Sequence, residues 1–159
     1  MCTGVGRQGK DVQLPGYERS RTLIILMGVA RLAQIIDALT IISENGNVTT
    51  ISSRREGAAY PGNTPVAIVE RASMPDQRVL TSTVENIVKA LNSCGEQRPP
   101  GMVVIGWSVM ALWGEGNVNV LQGEQKEDTT RDVERVNKWL ENKTWRVREG
   151  MDESWDDLQ

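Results

Sequence analysis

Short, nearly unbroken apolar runs alternate along this chain with longer segments of helical spacing. Thr22–Leu26, Val66–Val69 and Met102–Ile105 are compact runs rich in Val and Ile, the pattern of strands buried on both faces. Between the first two, Leu32, Ile35, Ile36, Leu39 and Ile42 fall three or four residues apart and predict a helix over 31–43 with one apolar stripe. Strand, helix and strand in that order predict a crossover unit. Arg78–Thr81 reads as a further β-prone piece, and Val84, Ile87, Val88 and Leu91 predict the buried face of a second helix. Val118–Leu121 reads as a terminal strand. Thr130–Asn142 reads as a helix with Val133, Val136 and Leu140 on one face. The whole predicts an α/β fold, a mixed β-sheet flanked by helices.

Turn chemistry punctuates these elements. Pro65 pins the entry to its strand, and Pro75 in Met74-Pro75-Asp76 prevents the strand from running on. Ser82 with Glu85 has capping-box spacing, and Gly95 is a helix stop. Arg98-Pro99-Pro100-Gly101 is a stiff connector into the third apolar run. Residues 44–63 form a long polar connection with turns at Asn45-Gly46 and Pro61-Gly62, and Val48–Ile51 is a short edge-strand candidate inside it. A connection this long in a compact domain is functional or disordered, and disorder is the expectation here.

Length and charge narrow the function classes. At 159 residues one domain with a substantial core is expected. The net charge of −3 with interspersed signs argues against a nucleic-acid surface. No apolar run is long enough to span a bilayer, and no signal-peptide pattern follows Met1. Cys2 and Cys94 form no C-x-x-C motif, so a cytoplasmic, reduced, soluble protein is expected. The chain contains no histidine, which removes the usual general base, zinc ligand and Ser-His or Cys-His nucleophile. The glycosylation patterns at Asn47 and Asn142 are read as chance, since nothing indicates secretion.

The candidate chemistry gathers where strands end. The stretch Thr64–Val79 reads as a buried strand whose carboxyl end opens into a polar turn, the place where open α/β sheets bind ligands. The plain alternative is a strand and turn without a ligand. Glu70 with Arg71, and Asp76 with Arg78, are expected to be ion pairs or turn hydrogen bonds. An acid/base role for Glu70 and Asp76 is the less favoured alternative. Met27-Gly28 ends the first strand, and the missing Cβ of Gly28 would let backbone approach a ligand closely. Trp107 flanks the end of the third strand as pocket wall or core. Gly4-Val5-Gly6-Arg7-Gln8-Gly9 fits G-x-G-x-x-G, yet no strand precedes it and Pro15-Gly16 follows before any helical period. A dinucleotide loop is therefore rejected.

Four segments carry a family resemblance. Pro65–Val79 (P-V-A-I-V-E-R-A-S-M-P-D-Q-R-V), Cys2–Lys10, Thr22–Ala30 and Arg98–Trp107 resemble, in order, segments of uroporphyrinogen-III C-methyltransferases in the tetrapyrrole methylase family. Together they span roughly residues 2 to 113. The resemblance implies the second of two α/β domains, with S-adenosylmethionine held between the domains and methyl groups passed to pyrrole carbons of uroporphyrinogen III. The product would be precorrin-2, on the way to sirohaem. It implies that Met27, Gly28, Ala72 and Ile105 contact the methyl donor along a common sheet edge, the plain alternative for Met27-Gly28 being a core methionine and a turn glycine. Arg7 and Lys10 either face the acidic tetrapyrrole or are simply solvated. Tyr60-Pro61 matches the family, whereas residues 46–58 look longer than usual there. The family's amino-terminal G-x-G-P-G-type loop and G-G-D-P segment are absent, so a carboxyl-terminal half is expected. Its parts would be a hinge-proximal loop at 1–20, the methylase domain at 21–113, and an extension at 114–159 with short strand, helix and acidic tail. A homodimer contact is a further expectation. The alternatives are a family member acting on another precorrin, and a non-catalytic interaction or dimerisation module.

Overall fold

The computed structural model describes residues 2–3, 13–41, 55–114, 118–121 and 129–151. Eight strands are present: β1 (Cys2–Thr3), β2 (Leu14–Pro15), β3 (Leu23–Leu26), β4 (Arg55–Glu56), β5 (Pro65–Glu70), β6 (Arg78–Thr83), β7 (Gly101–Ile105) and β8 (Arg146–Glu149). Six form one sheet in the order β1-β3-β7-β5-β6-β8, while β2 and β4 pair separately. Only the β1–β3 contact within the large sheet is parallel. The fold is thus α/β with a mixed sheet, as the apolar pattern implies. Residues 1–20, expected as loop, supply two short strands.

Helix α1 (Leu32–Thr40) buries the predicted stripe of Leu32, Ile35, Ile36 and Leu39. The last stripe residue, Ile42, lies outside the described residues, as do the candidate strand 48–51 and the acidic stretch after Met151. Arg55 closes the helix by donating to the carbonyls of Ala38, Leu39 and Ile41 at 2.8–2.9 Å, a favourable place for a cation. With α2 (Ile87–Ser93), this helix covers one face of the sheet. Ile25, Val66, Ile68, Leu80, Val103 and Ile105 pack there against Leu39, Ile87 and Ala90. Burial of each Ile or Leu contributes roughly 1.5–3 kcal/mol.

β3 and β5 run in the same direction, as a crossover unit requires, and β7 lies antiparallel between them. Several expectations need correction. Ser82 and Thr83 do not cap α2. They extend β6, where the Ser82 hydroxyl donates to the carbonyl of Thr144 at 2.8 Å, and Asn86 stands at the helix cap. Val118–Leu121 is a 3-10 turn rather than a strand. β8 was not anticipated, and it completes the sheet beside β6. Gly95, at φ +81, ends α2 as expected.

The second face carries the 3-10 segment Trp107–Trp113 and α3 (Thr129–Trp139). Trp107, Val109, Val120, Val136, Trp139 and Leu140 pack there over Ala67. Val133, expected on the buried side of α3, is exposed. The helix offers a narrow apolar stripe, and a buried ion pair reinforces it. Arg19 donates through both terminal nitrogens to Asp132 at 2.7 and 2.8 Å and through Nε to the carbonyl of Val120 at 2.6 Å. Its guanidinium stacks 4.6 Å from the Trp107 ring centroid, and the Trp107 indole donates to the Tyr17 hydroxyl. Trp107 is therefore core.

Burial alone would push the Asp132 carboxyl upward, but the hydrogen bonds and charges of Arg19 and Arg135 outweigh it and hold it below 3.8. A carboxyl lowered on folding contributes stability that is complete above its unfolded pKa, near 4, and is lost as pH falls through the folded value. Tryptophan fluorescence should therefore show α3 docked at neutral pH and loosening only below about pH 4. Asp132→Asn should lower stability to urea by about 3 kcal/mol, since it leaves Arg19 without its counter-charge.

Candidate functional site

β3 and β5 both end at one edge of the sheet, where β7 begins. Leu26 pairs with Met102 and Glu70 with Gly101, so Met27 and the loop 71–77 flank the start of β7. Here the backbone is strained. Met27 (φ 54), Arg71 (φ 51) and Ser73 (φ 65) adopt left-handed conformations that cost an L-residue roughly 1–2 kcal/mol. Such outliers persist where surrounding structure over-determines them, often at ligand sites.

A groove of about 440 Å³ opens at this edge, lined by Met27, Val29, Ala30, Glu70, Gln97 and the 98–101 connector. Its volume lies in the range of small-molecule pockets. Met27 is 65% exposed, an unusual state for a large apolar side chain that leaves it free to contact a ligand. The Arg71 amide donates to the carbonyl of Pro100 at 2.8 Å, which locks the loop against the connector.

Beneath the groove lies a buried ion pair. Glu70 and Arg78 side chains are each 2% exposed, with Nε to Oε2 at 2.6 Å. The other Glu70 oxygen accepts from the Arg98 amide at 2.9 Å, and Arg78 also donates to the carbonyls of Cys94 and Glu96. At the surface Arg71 pairs with Asp76 at 2.8 Å. The partners are thus exchanged relative to the expected Glu70–Arg71 and Asp76–Arg78 pairs. Both Glu70 oxygens are engaged by donors, which favours a supporting role over acid/base work. Burial raises the pKa of the half-buried Cys94 thiol, so its reactive thiolate is scarce.

The predicted site residues separate. Met27 and Gly28 close β3, and Ala72, exposed in the loop after β5, stands at the same edge. Ile105 does not. It pairs with Leu23 and Val66 at the far end of β7 and is fully buried, because β7 runs antiparallel to both neighbours. Gly28 also has a different reason for being glycine. Its φ of −90 is ordinary, and an added Cβ would lie 2.8 Å from Ile25 Cγ2 and 3.0 Å from Ile35 Cδ1. The constraint is close packing of the turn onto the core. Arg7 and Lys10 lie outside the described residues. Gln97, Arg98, Pro99, Pro100 and Gly101 were not foreseen as lining. The signal available was the stiff connector directly before a strand.

Comparison with known proteins follows the same residues. The model of the tetrapyrrole (corrin/porphyrin) methylases matches residues 3–88. A probable uroporphyrinogen-III C-methyltransferase of Schizosaccharomyces pombe is 34% identical over 112 residues, 70% of this chain and 19% of that protein. The uroporphyrinogen-III C-methyltransferase of Saccharomyces cerevisiae is 34% identical over 119 residues, 75% of this chain and 17% of its own length. The chain therefore spans less than a fifth of either yeast protein. Among solved structures, uroporphyrin III C-methyl transferase from Thermus thermophilus aligns with a TM-score of 0.42 at 24% identity, over 70% of this chain and 40% of the other. With the family match covering more than half of its length, the chain belongs to the tetrapyrrole methylases.

Proposed function

We propose that this chain forms one wall of the methyl-donor site in an S-adenosylmethionine-dependent C-methyltransferase acting on uroporphyrinogen III, and that the product is precorrin-2 for sirohaem synthesis. The observation that carries the proposal is the groove at the β3/β5 edge, where Val29, Ala30, Glu70 and strained Met27, all within the stretch matched by the family model, face the 97–101 connector, with the strained loop holding Ala72 beside it. The names of the yeast relatives supply the substrate class. S-adenosylmethionine would bring a methyl group already activated on a sulfonium sulfur. The protein's task would then be alignment and exclusion of water, which suits a chain without histidine.

In this reading Met27 offers an apolar contact to the donor, with Gly28 and the Ala72 loop shaping the same edge. Arg7 and Lys10 remain proposed partners of the acidic substrate. The groove is open to solvent, and a second wall would come from sequence of the kind the longer relatives possess. No helix among the described residues is long and apolar enough to cross a membrane, and no cluster of metal-ligating side chains is found among them. The homodimer contact is kept as a proposal that sedimentation would check.

The 159-residue chain alone should bind S-adenosylhomocysteine weakly in calorimetry. Combined with the remaining segments of the Schizosaccharomyces pombe relative, it should transfer labelled methyl from S-adenosylmethionine to uroporphyrinogen III. Tight binding by the chain alone would refute the shared-wall reading. A stable complex without methyl transfer would favour the interaction module. Met27→Gly gives a second test. Release of left-handed strain is worth roughly 1 kcal/mol and about offsets the backbone entropy of glycine, so urea stability should hold. Loss of the apolar contact should raise the donor KM of the reconstituted enzyme roughly tenfold.

A further inference from the structure

A second cavity lies away from this groove. It encloses about 650 Å³ against Trp107, Met110, Trp113, Trp139, Lys138 and Arg146, with Arg135 and Glu141 at its margin. It opens on the opposite face of the sheet, among the residues that pack over Ala67. The donor groove touches the start of β7 at Gly101, whereas this cavity begins at Trp107, beyond the end of that strand.

Its walls and its polar groups point to one kind of occupant. Three indoles and a methionine line it, Trp107 and Trp139 buried and Trp113 and Met110 half-buried, a lining that favours an aromatic body. Most polar groups are already engaged. The Trp113 indole donates to the Thr81 hydroxyl and the Trp107 indole to Tyr17. Glu141 is paired with Lys143 and Arg146, and Arg135 with Asp132. Two groups remain. Lys138 has no ion-pair partner among the described residues, and the buried Nε1–H of Trp139 has no acceptor. Both are donors, and one is cationic. Among the described residues no uncommitted carboxylate lines the cavity to receive a cation. Arg146 and Arg148 also lie over Trp113, with guanidinium carbons 4.3 and 5.2 Å from its centroid, so the surroundings of that wall are positive in a chain of net charge −3.

We propose that this cavity is a second binding site, selective for small flat aromatic carboxylates, with the ring between the indoles and the carboxylate on Lys138. The site is independent of the donor groove.

The test titrates the full chain with 2-naphthoate, following the indole N–H resonances of its five tryptophans by NMR, with Trp139→Phe used only for assignment. Saturable binding should move the Trp139 resonance more than that of Trp145, which does not line the cavity. Neutral 2-naphthamide should bind roughly tenfold more weakly, the loss expected for one charge-assisted hydrogen bond. Lys138→Gln, at an exposed position where folding is not at risk, should weaken 2-naphthoate to a similar extent and leave the amide unchanged. Met27→Gln should leave both affinities as they are, which separates this site from the donor groove. Equal affinity for acid and amide, indifference to Lys138→Gln, or no shift of Trp139 at the solubility limit of the probe would each overturn the proposal.

Discussion

Two opposite charges withdrawn from water, Glu70 and Arg78, set the geometry of the donor edge. They are direct cross-strand partners in the β5–β6 hairpin, so their attraction fixes the register of these two strands. Their remaining hydrogen-bonding capacity reaches outward to the amide of Arg98 and the carbonyls of Cys94 and Glu96. The chain leaving α2 is thereby delivered to the edge where β7 must start. Apolar residues of similar volume could contribute as much stability, but they would not specify which backbone groups meet. Directional bonds to three separate backbone positions do.

Much of this was legible in the residues. The apolar runs at 22–26, 66–69 and 102–105 located three strands, and the stripe from Leu32 to Leu39 located a buried helix face. Strand direction was not legible, because a run buried on both faces reads the same either way round. The return path of α2 decides it: Cys94 and Glu96 come back to Arg78 at the donor edge, so β7 starts there and carries Ile105 away. The ion-pair exchange has a similar origin. β5 ends at Glu70 and Arg71 turns off in a left-handed conformation, while Glu70 and Arg78 face each other only once the hairpin forms. β8 escaped notice because Arg146–Glu149 has a single aliphatic residue, Val147, and that residue is exposed.

The two faces of the sheet are held by different physics. The α1/α2 face is an aliphatic core of Ile, Leu and Val. The α3 face sets Val109, Val120, Val136 and Leu140 among the indoles of Trp107 and Trp139, with Arg19 joining positions far apart in the chain through Asp132, Val120 and Trp107. Bulky indoles pack with gaps that smaller side chains would fill, and the 650 Å³ cavity sits among them.

At the start of β7 the donor groove is lined by a residue without a side chain. At Gly101 an added Cβ would stand 3.0 Å from Val29 Cγ2 and 3.4 Å from Glu70 Cγ, and the two residues before it are prolines. Exchange of side chains therefore has little scope to deepen or reshape that surface without disturbing the core below. Any diversification of what the groove accepts would have to be written on its rim, at Met27, Ala30, Gln97 and Arg98, where substitution leaves the foundation alone.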